Sequence, residues 1–174
     1  MTADEVKKLL RLEPHPREGG WFRRTYEAAE TVPAAAFAEF RYLSRRRTGT
    51  AIYYLLEPGT FSEMHRLKSD EIFHFYAGDP VELLQLHPNG TGRTTILGND
   101  LLAGHRPQLV VDQDTWQGSH LVAGGAWALL GCTVSPGFEY EDYESGDRKT
   151  LLASWPEHAA LITKLTHGRE GQAS

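Results

Sequence analysis

One cysteine, Cys132, is all the thiol chemistry the chain contains, so it closes no disulfide within itself and builds no zinc site from two or more of its own cysteines. That fits a reducing, cytoplasmic setting. Long apolar runs are also missing: nothing approaches the roughly 18 residues that a membrane helix needs. The opening stretch, MTADEVKKLLRLEPHPREGG, places acidic residues ahead of a short apolar segment and has no signal-type hydrophobic region. A soluble cytoplasmic chain with no membrane partner is expected. Basic excess is absent too: 18 Lys and Arg stand against 23 Asp and Glu, a net charge of −5. Without that excess a nucleic acid is not expected as a partner. There is no internal repeat and no low-complexity segment.

What is present is an ordinary globular mixture, 40% hydrophobic and 24% charged over 174 residues, which suits one domain burying roughly 70% of its unfolded surface. A single domain over 1–166 with a disordered tail over 167–174 is predicted. Thr2 and Glu5 have capping-box spacing ahead of Val6, Leu9 and Leu10, which predicts a helix over 3–12, stopped by Pro14 and Pro16. From Gly19 onward, short β-branched or aromatic runs alternate with turn signals. Strands are predicted over 21–26, 38–43, 50–56, 61–65, 71–77, 81–86, 94–97, 108–111, 119–122, 126–134 and 138–143. So many short strands in one domain predict an all-β, two-sheet antiparallel barrel. A polar turn over 144–149 precedes a closing helix, for which Ser154 and Glu157 repeat the capping-box spacing before Ala159, Leu161, Ile162 and Leu165.

The segment Pro58-Gly59-Thr60-Phe61-Ser62-Glu63-Met64-His65-Arg66-Leu67-Lys68-Ser69-Asp70-Glu71-Ile72-Phe73-His74-Phe75-Tyr76-Ala77-Gly78 carries the chemistry. Read as two hairpin-paired strands, its period of two puts Phe61, Glu63, His65 and Leu67 on one face and Glu71, Phe73 and Phe75 on one face, so that imidazole and carboxylate converge inside a barrel. The segment resembles the first cupin motif, Gly-x5-His-x-His-x(3 or 4)-Glu-x6-Gly, with Gly59, His65, Glu71 and Gly78 in register and Leu67 in place of the second histidine. Against the second cupin motif, Val111 to Gln117 matches weakly, with Gln117 where the ligand histidine would stand. His15 to Tyr26, Ala51 to Leu56, His65 to Tyr76 and Gly131 to Glu139 look like the cupin subfamily designated DUF985. The resemblance implies a double-stranded β-helix, the RmlC-like cupin jelly roll, with short N- and C-terminal helices and a homodimeric state; it brings no settled reaction.

A cupin metal site normally uses three histidines and a glutamate, and here only His65 and Glu71 remain as good ligands. Leu67 cannot coordinate and Gln117 offers only a neutral amide oxygen, so no cofactor is expected beyond a low-occupancy divalent metal. Without a metal the same two residues read as an acid/base pair. By fold-level analogy with metal-free RmlC-type epimerases, this suggests an isomerase, epimerase or lyase acting on a small polar, sugar-like substrate. A metal-dependent cupin enzyme with a degenerate His/Glu site and a non-catalytic small-molecule-binding cupin are the alternatives, and a purely structural hydrogen bond between His65 and Glu71 is the bland one. Gln117, Tyr54, Phe73 and Phe75 are the candidate substrate-binding residues, although parity leaves open whether Tyr53 or Tyr54 faces the pocket.

Other polar groups read more plainly. His74 points to the opposite sheet face from Glu71, His105 and His120 flank the second motif, and His15, His87, His158 and His167 lie in turn-like or terminal contexts with no special signal. Arg23, Arg24 and Arg41 are candidates for meeting an anionic group. Arg45-Arg46-Arg47 reads as a solvated loop, and Glu139, Glu141, Asp142 and Glu144 as an exposed acidic strand. Trp21, Phe22 and Tyr26 would leave a monomer partly wet, which predicts a dimer that covers them.

Overall fold

Thr2 caps the first helix, α1 (Ala3–Leu10), through the predicted box: its hydroxyl accepts from the Glu5 amide at 3.2 Å and Glu5 accepts from the Thr2 amide at 2.7 Å. The structure is a computed structural model that describes residues 1–38 and 41–167. After α1 come β1 (Glu13–Pro14), β2 (Trp21–Glu27), β3 (Thr31–Val32), β4 (Arg46–Arg47), β5 (Thr50–Leu56), β6 (Phe61–Arg66) and β7 (Asp70–Gly78). Then follow β8 (Val81–Leu86), β9 (Gly92–Leu97), β10 (Gln108–Val111), β11 (Trp116–Leu121), β12 (Ala128–Ser135) and β13 (Glu144–Ser145). The chain closes with α2 (Arg148–Ser154) and α3 (Ala159–Lys164).

Two large antiparallel sheets result, one in the order β1-β2-β5-β12-β7-β10 and one in the order β13-β6-β11-β8-β9, beside a two-stranded β3-β4 ribbon. Their inner faces share one apolar cluster, with Tyr54, Leu56, Phe73, Phe75 and Leu130 from the first and Val81, Leu83, Leu97 and Leu121 from the second. This is the predicted jelly-roll architecture. Burying each such side chain contributes roughly 1.5–3 kcal/mol before entropy is counted. The outer face of the five-stranded sheet is covered by α2 and α3, from which Leu151 and Ile162, with Trp155 and Leu165 just past the helix ends, pack on Met64, Leu84 and Leu86. On the other side α1 lays Val6 against Leu55, with Trp21 and Tyr53 beside it.

Several local expectations give way. Residues 138–143 form no strand but a 3-10 turn, Tyr140–Asp142. Of the strand expected over 38–43, residues 39 and 40 lie outside the described residues, and 38 and 41–43 are not extended into a sheet. The expected tail likewise falls outside them from residue 168 onward. α2 arises where a polar turn was read, because the Asp147 carboxylate accepts from the Thr150 amide at 2.9 Å and caps it. Ser154 therefore ends α2 instead of starting a helix, and Pro156 opens a 3-10 turn that leads into α3.

The correction with most consequence concerns β6 and β7. They do not pair as a hairpin. β6 pairs with β11 and β13, β7 pairs with β12 and β10, and Leu67 to Ser69 form a corner between the sheets. His65 and Glu71 thus stand on opposite walls of the barrel.

Candidate functional site

His65 is aimed by a β-bulge. In the β6–β11 pairing Gln117 lies opposite His65 and Ser119 opposite Ser62, so three residue steps on β6 match two on β11. Ser62 and His65 therefore share the inner face. Strict alternation placed Glu63 with His65; the extra residue instead turns Glu63 toward Tyr143 and Ser145, whose hydroxyls donate to its Oε1 at 2.8 and 2.7 Å. The bulge's amides are satisfied from both ends of the chain, Glu63 donating to the Glu18 carbonyl and Met64 to the Leu165 carbonyl, at 2.8 and 2.7 Å. Opposite it, Gly118 leaves room that a side chain would take from Met64.

The His65 Nδ1 lies 2.7 Å from the Glu63 carbonyl oxygen, which can only accept, so this nitrogen carries a hydrogen. Nε2 is the nitrogen left for the barrel interior. The ring stacks on Tyr143 with centroids 4.8 Å apart. On the far wall, Glu71 accepts from Gln117 Nε2 at 2.6 Å and lies beside the Cys132 thiol. Burial pushes the Glu71 carboxyl up to about 7, the Glu18 charge adds to the rise, and His65, Gln117 and Cys132 pull the other way. Burial likewise pushes the Cys132 thiol well up, so it stays protonated. Gln117 Oε1 and Ser119 Oγ, both buried, have no partner among the described residues.

His65 and Glu71 line one cavity of about 30 Å³, room for a water molecule or the head of a small ligand. Its other polar walls are His15, Glu18, Arg24, Thr50 and Cys132; Phe22, Ile52, Leu67, Val134, Phe138 and Tyr140 supply the apolar ones. Gln117 is not among the lining residues and supports Glu71 from behind. Tyr54, Phe73 and Phe75 fill the deeper half of the barrel, with the Tyr54 hydroxyl donating to the Gly19 carbonyl at 2.8 Å. Tyr53 faces outward, edge-on to Tyr76.

His15, Glu18 and Cys132 line the cavity although no catalytic or binding signal in the sequence singles them out. His15 and Glu18 arrive on the turn that ends at Gly19 and Gly20, both at positive φ, and a Cβ at Gly19 would run into the Phe61 carbonyl. Such a turn pressed against β6 is invisible to periodicity. Arg24 reaches the mouth, whereas Arg23 lies over the Tyr53 ring and Arg41 beside Tyr42. His74 sits on the outer face with its Nε2 3.3 Å from the Thr133 hydroxyl, and His120 pairs with Glu82 at 2.9 Å. Of the three aromatics expected at a dimer contact, Trp21 donates to Glu57 under Lys7, Phe22 lines the cavity and Tyr26 stays exposed.

Arg46 departs most from expectation. It is fully buried, not solvated, donating from Nε to Asp142 Oδ2 at 2.7 Å and from a terminal nitrogen to Asp142 Oδ1 at 2.8 Å, with Glu141 as a third acceptor. These hydrogen bonds hold its pKa well above the ordinary value despite burial. Glu141 and Asp142 thus form a clasp, and of the acidic run only Glu144 lies on an exposed strand, β13 at the sheet edge. The clasp fixes the segment that brings Phe138 and Tyr140 to the cavity.

Among the described residues no group of three or more His, Cys, Asp and Glu side chains is placed to hold a metal ion. His65 Nδ1 is engaged by a carbonyl, Glu71 Oε2 by an amide, and Leu67 contributes only hydrocarbon. This donor set does not fit a resident divalent ion. No helix among them is long and apolar enough to cross a membrane.

Residues 4–146 match the family model described as Cupin superfamily (DUF985). A crystal structure of a Shewanella oneidensis protein shares 36% identity, with a TM-score of 0.82 over 96% of this chain and 98% of that one. A hypothetical protein from Leishmania major shares 32%, with a TM-score of 0.85 over 96% of this chain and 99% of that one. Bacillus subtilis oxalate decarboxylase shares the fold alone, at 12% identity and a TM-score of 0.52 over 88% of this chain and 37% of that one. No functionally curated protein matches the sequence.

Proposed function

This chain belongs to the DUF985 family of the cupin superfamily, and on that premise we propose that it is a metal-independent isomerase, epimerase or lyase that moves a proton on a small polar, sugar-like molecule. The observation that carries the reading is the placement of His65 and Glu71 on opposite walls of one cavity, one presenting Nε2 and the other a carboxyl that titrates near neutrality. A base and an acid on two sides of a substrate carbon are what proton shuffling needs.

His65 Nε2 takes the proton from a carbon next to a carbonyl, and the C–H electron pair moves through the new C=C bond onto the carbonyl oxygen. Protonated Glu71 returns a proton, to the same carbon from the other side for epimerisation or, as the proton of the hydroxyl on the first carbon passes to the former carbonyl oxygen, to the former carbonyl carbon for isomerisation. Where the same carbanion expels a β-substituent, the outcome is a lyase reaction. The small interior accepts the reacting end, and the remainder of the molecule lies at the mouth by Arg24 and Tyr140.

Proton NMR in deuterium oxide tests this, with a panel of small aldoses, ketoses and 2-oxo acids. The expected result is washout of a carbon-bound proton next to a carbonyl by the wild-type protein and none by His65→Gln. Saturable binding without washout favours the non-catalytic binder, and washout undiminished in His65→Gln removes the catalytic assignment.

A further inference from the structure

Resting on the reading that the cavity takes a small polar molecule, we infer that His15 and Glu18 form a subsite that selects a ligand hydroxyl, one that accepts from His15 and donates to Glu18. The tautomer of His15 is set by its neighbours. The Glu18 amide donates to its Nδ1 at 2.8 Å, and the Arg17 amide lies 3.4 Å from the same atom. Backbone amides only donate, so Nδ1 holds the lone pair and the ring hydrogen sits on Nε2. His65 is the reverse, with its hydrogen on Nδ1 and the lone pair on Nε2. The two imidazoles of one cavity therefore offer opposite hydrogen-bonding characters.

His15 is held in this state by its surroundings. Its side chain is 5% exposed, with the ring edge-on to Phe22 at 4.7 Å and to Tyr54 at 6.5 Å. Burial lowers its pKa, the Glu18 charge opposing, which keeps the ring neutral and a single donor. Glu18 is fixed too: its Oε1 accepts from the Ser62 hydroxyl at 2.5 Å, which leaves Oε2 as the acceptor facing His15.

His15 Nε2 and Glu18 Oε2 lie 3.9 Å apart, beyond direct hydrogen-bond reach. A hydroxyl oxygen placed beside both, with bonds of about 2.8 Å to each, spans that gap. A ketone oxygen accepts but cannot donate to Glu18, and a methyl group does neither and leaves two buried polar groups unpaired. Sites of this kind reject the analogue without the hydroxyl strongly. The substrate class narrows to molecules with a free hydroxyl near the reacting carbon.

The test uses dihydroxyacetone and acetone as probes and the long-range nitrogen-15 spectrum of the histidine rings as readout. In the free wild-type protein His15 is expected as the neutral Nε2–H form and His65 with its hydrogen on Nδ1; Nδ1–H on His15 overturns the inference. Dihydroxyacetone is expected to shift the His15 signals saturably, with about tenfold or greater preference over acetone. His15→Asn, whose side-chain oxygen still accepts from the turn amides, and Glu18→Gln, which keeps the bond from Ser62, should each cut that preference to about twofold or less. Equal binding of the two probes overturns the subsite while leaving a ligand cavity standing. Absence of any perturbation at His15 and His65 overturns both readings.

Discussion

Gln117 Nε2 donates to Glu71 Oε2 at 2.6 Å, a bond that runs from the five-stranded sheet to the six-stranded one through the barrel interior. It ties the two walls together at the level where His65 enters, and it orients a cavity carboxyl that burial drives toward neutrality.

Glu71 gives the protein a pH signature. Its carboxyl titrates near 4.5 in the unfolded chain and at about 7 in the fold, so between those values the native state holds a proton that the unfolded state has released. Its contribution to stability is complete below about pH 4.5, declines as pH rises and is lost above about 7, an amount on the order of 3 kcal/mol. Denaturant titrations across this window should show the decline, and Glu71→Gln should remove that component. A wild-type profile that rises from pH 4.5 to 7 by a similar amount, unchanged in Glu71→Gln, would contradict the assignment.

Two glycines that look alike in sequence should behave differently. A Cβ at Gly118 would lie 2.8 Å from Met64 Sδ and 3.1 and 3.2 Å from the Ser62 carbonyl oxygen and the Met64 nitrogen, backbone atoms of the bulge. Gly118→Ala should cost about 1–3 kcal/mol in urea unfolding. At Gly131 the obstacle is the end of the Tyr76 side chain, 50% exposed and free to swing away, so Gly131→Ala should cost less than about 1 kcal/mol. The reverse order would mean that the bulge is soft.

Strand alternation made a two-sheet antiparallel barrel legible, and the first motif drew attention to His65 and Glu71, because both signals depend on local period and spacing. Three things were not legible, each for a physical reason. The corner over Leu67 to Ser69 has the composition of a hairpin turn, and only the partners of β6 and β7 reveal that the chain changes sheets. The bulge adds one residue without any glycine or proline on β6 to announce it. His15 and Glu18 reach the cavity by a long-range contact of their turn with Phe61 and Glu63, which no window along the chain contains.

Arg46 supplies a stability test. Removing one partner of a buried, fully hydrogen-bonded ion pair leaves Asp142 with only the more distant Lys68 at 4.0 Å, so Arg46→Met should cost about 3–5 kcal/mol by chemical denaturation at neutral pH. Arg46→Lys should rescue little, since an ammonium cannot make the two-pronged contact with Asp142. Full stability in Arg46→Lys would show that charge alone holds the clasp.

Metal content is a direct measurement. Protein purified without added metal should carry well below one divalent ion per chain by elemental analysis, and chelation should leave its melting temperature unchanged. A stoichiometric ion lost from His65→Gln would show that fewer donors suffice than coordination chemistry ordinarily requires.

Because Tyr54, Phe73, Phe75 and their neighbours close the deeper half of the barrel, the cavity has a floor as well as a mouth. Traffic through such a blind alley is two-way on a single lane: any ligand enters and leaves past Arg24 and Tyr140. On the proposed reading, product and substrate compete for that doorway, and competitive product inhibition is the expected kinetic outcome.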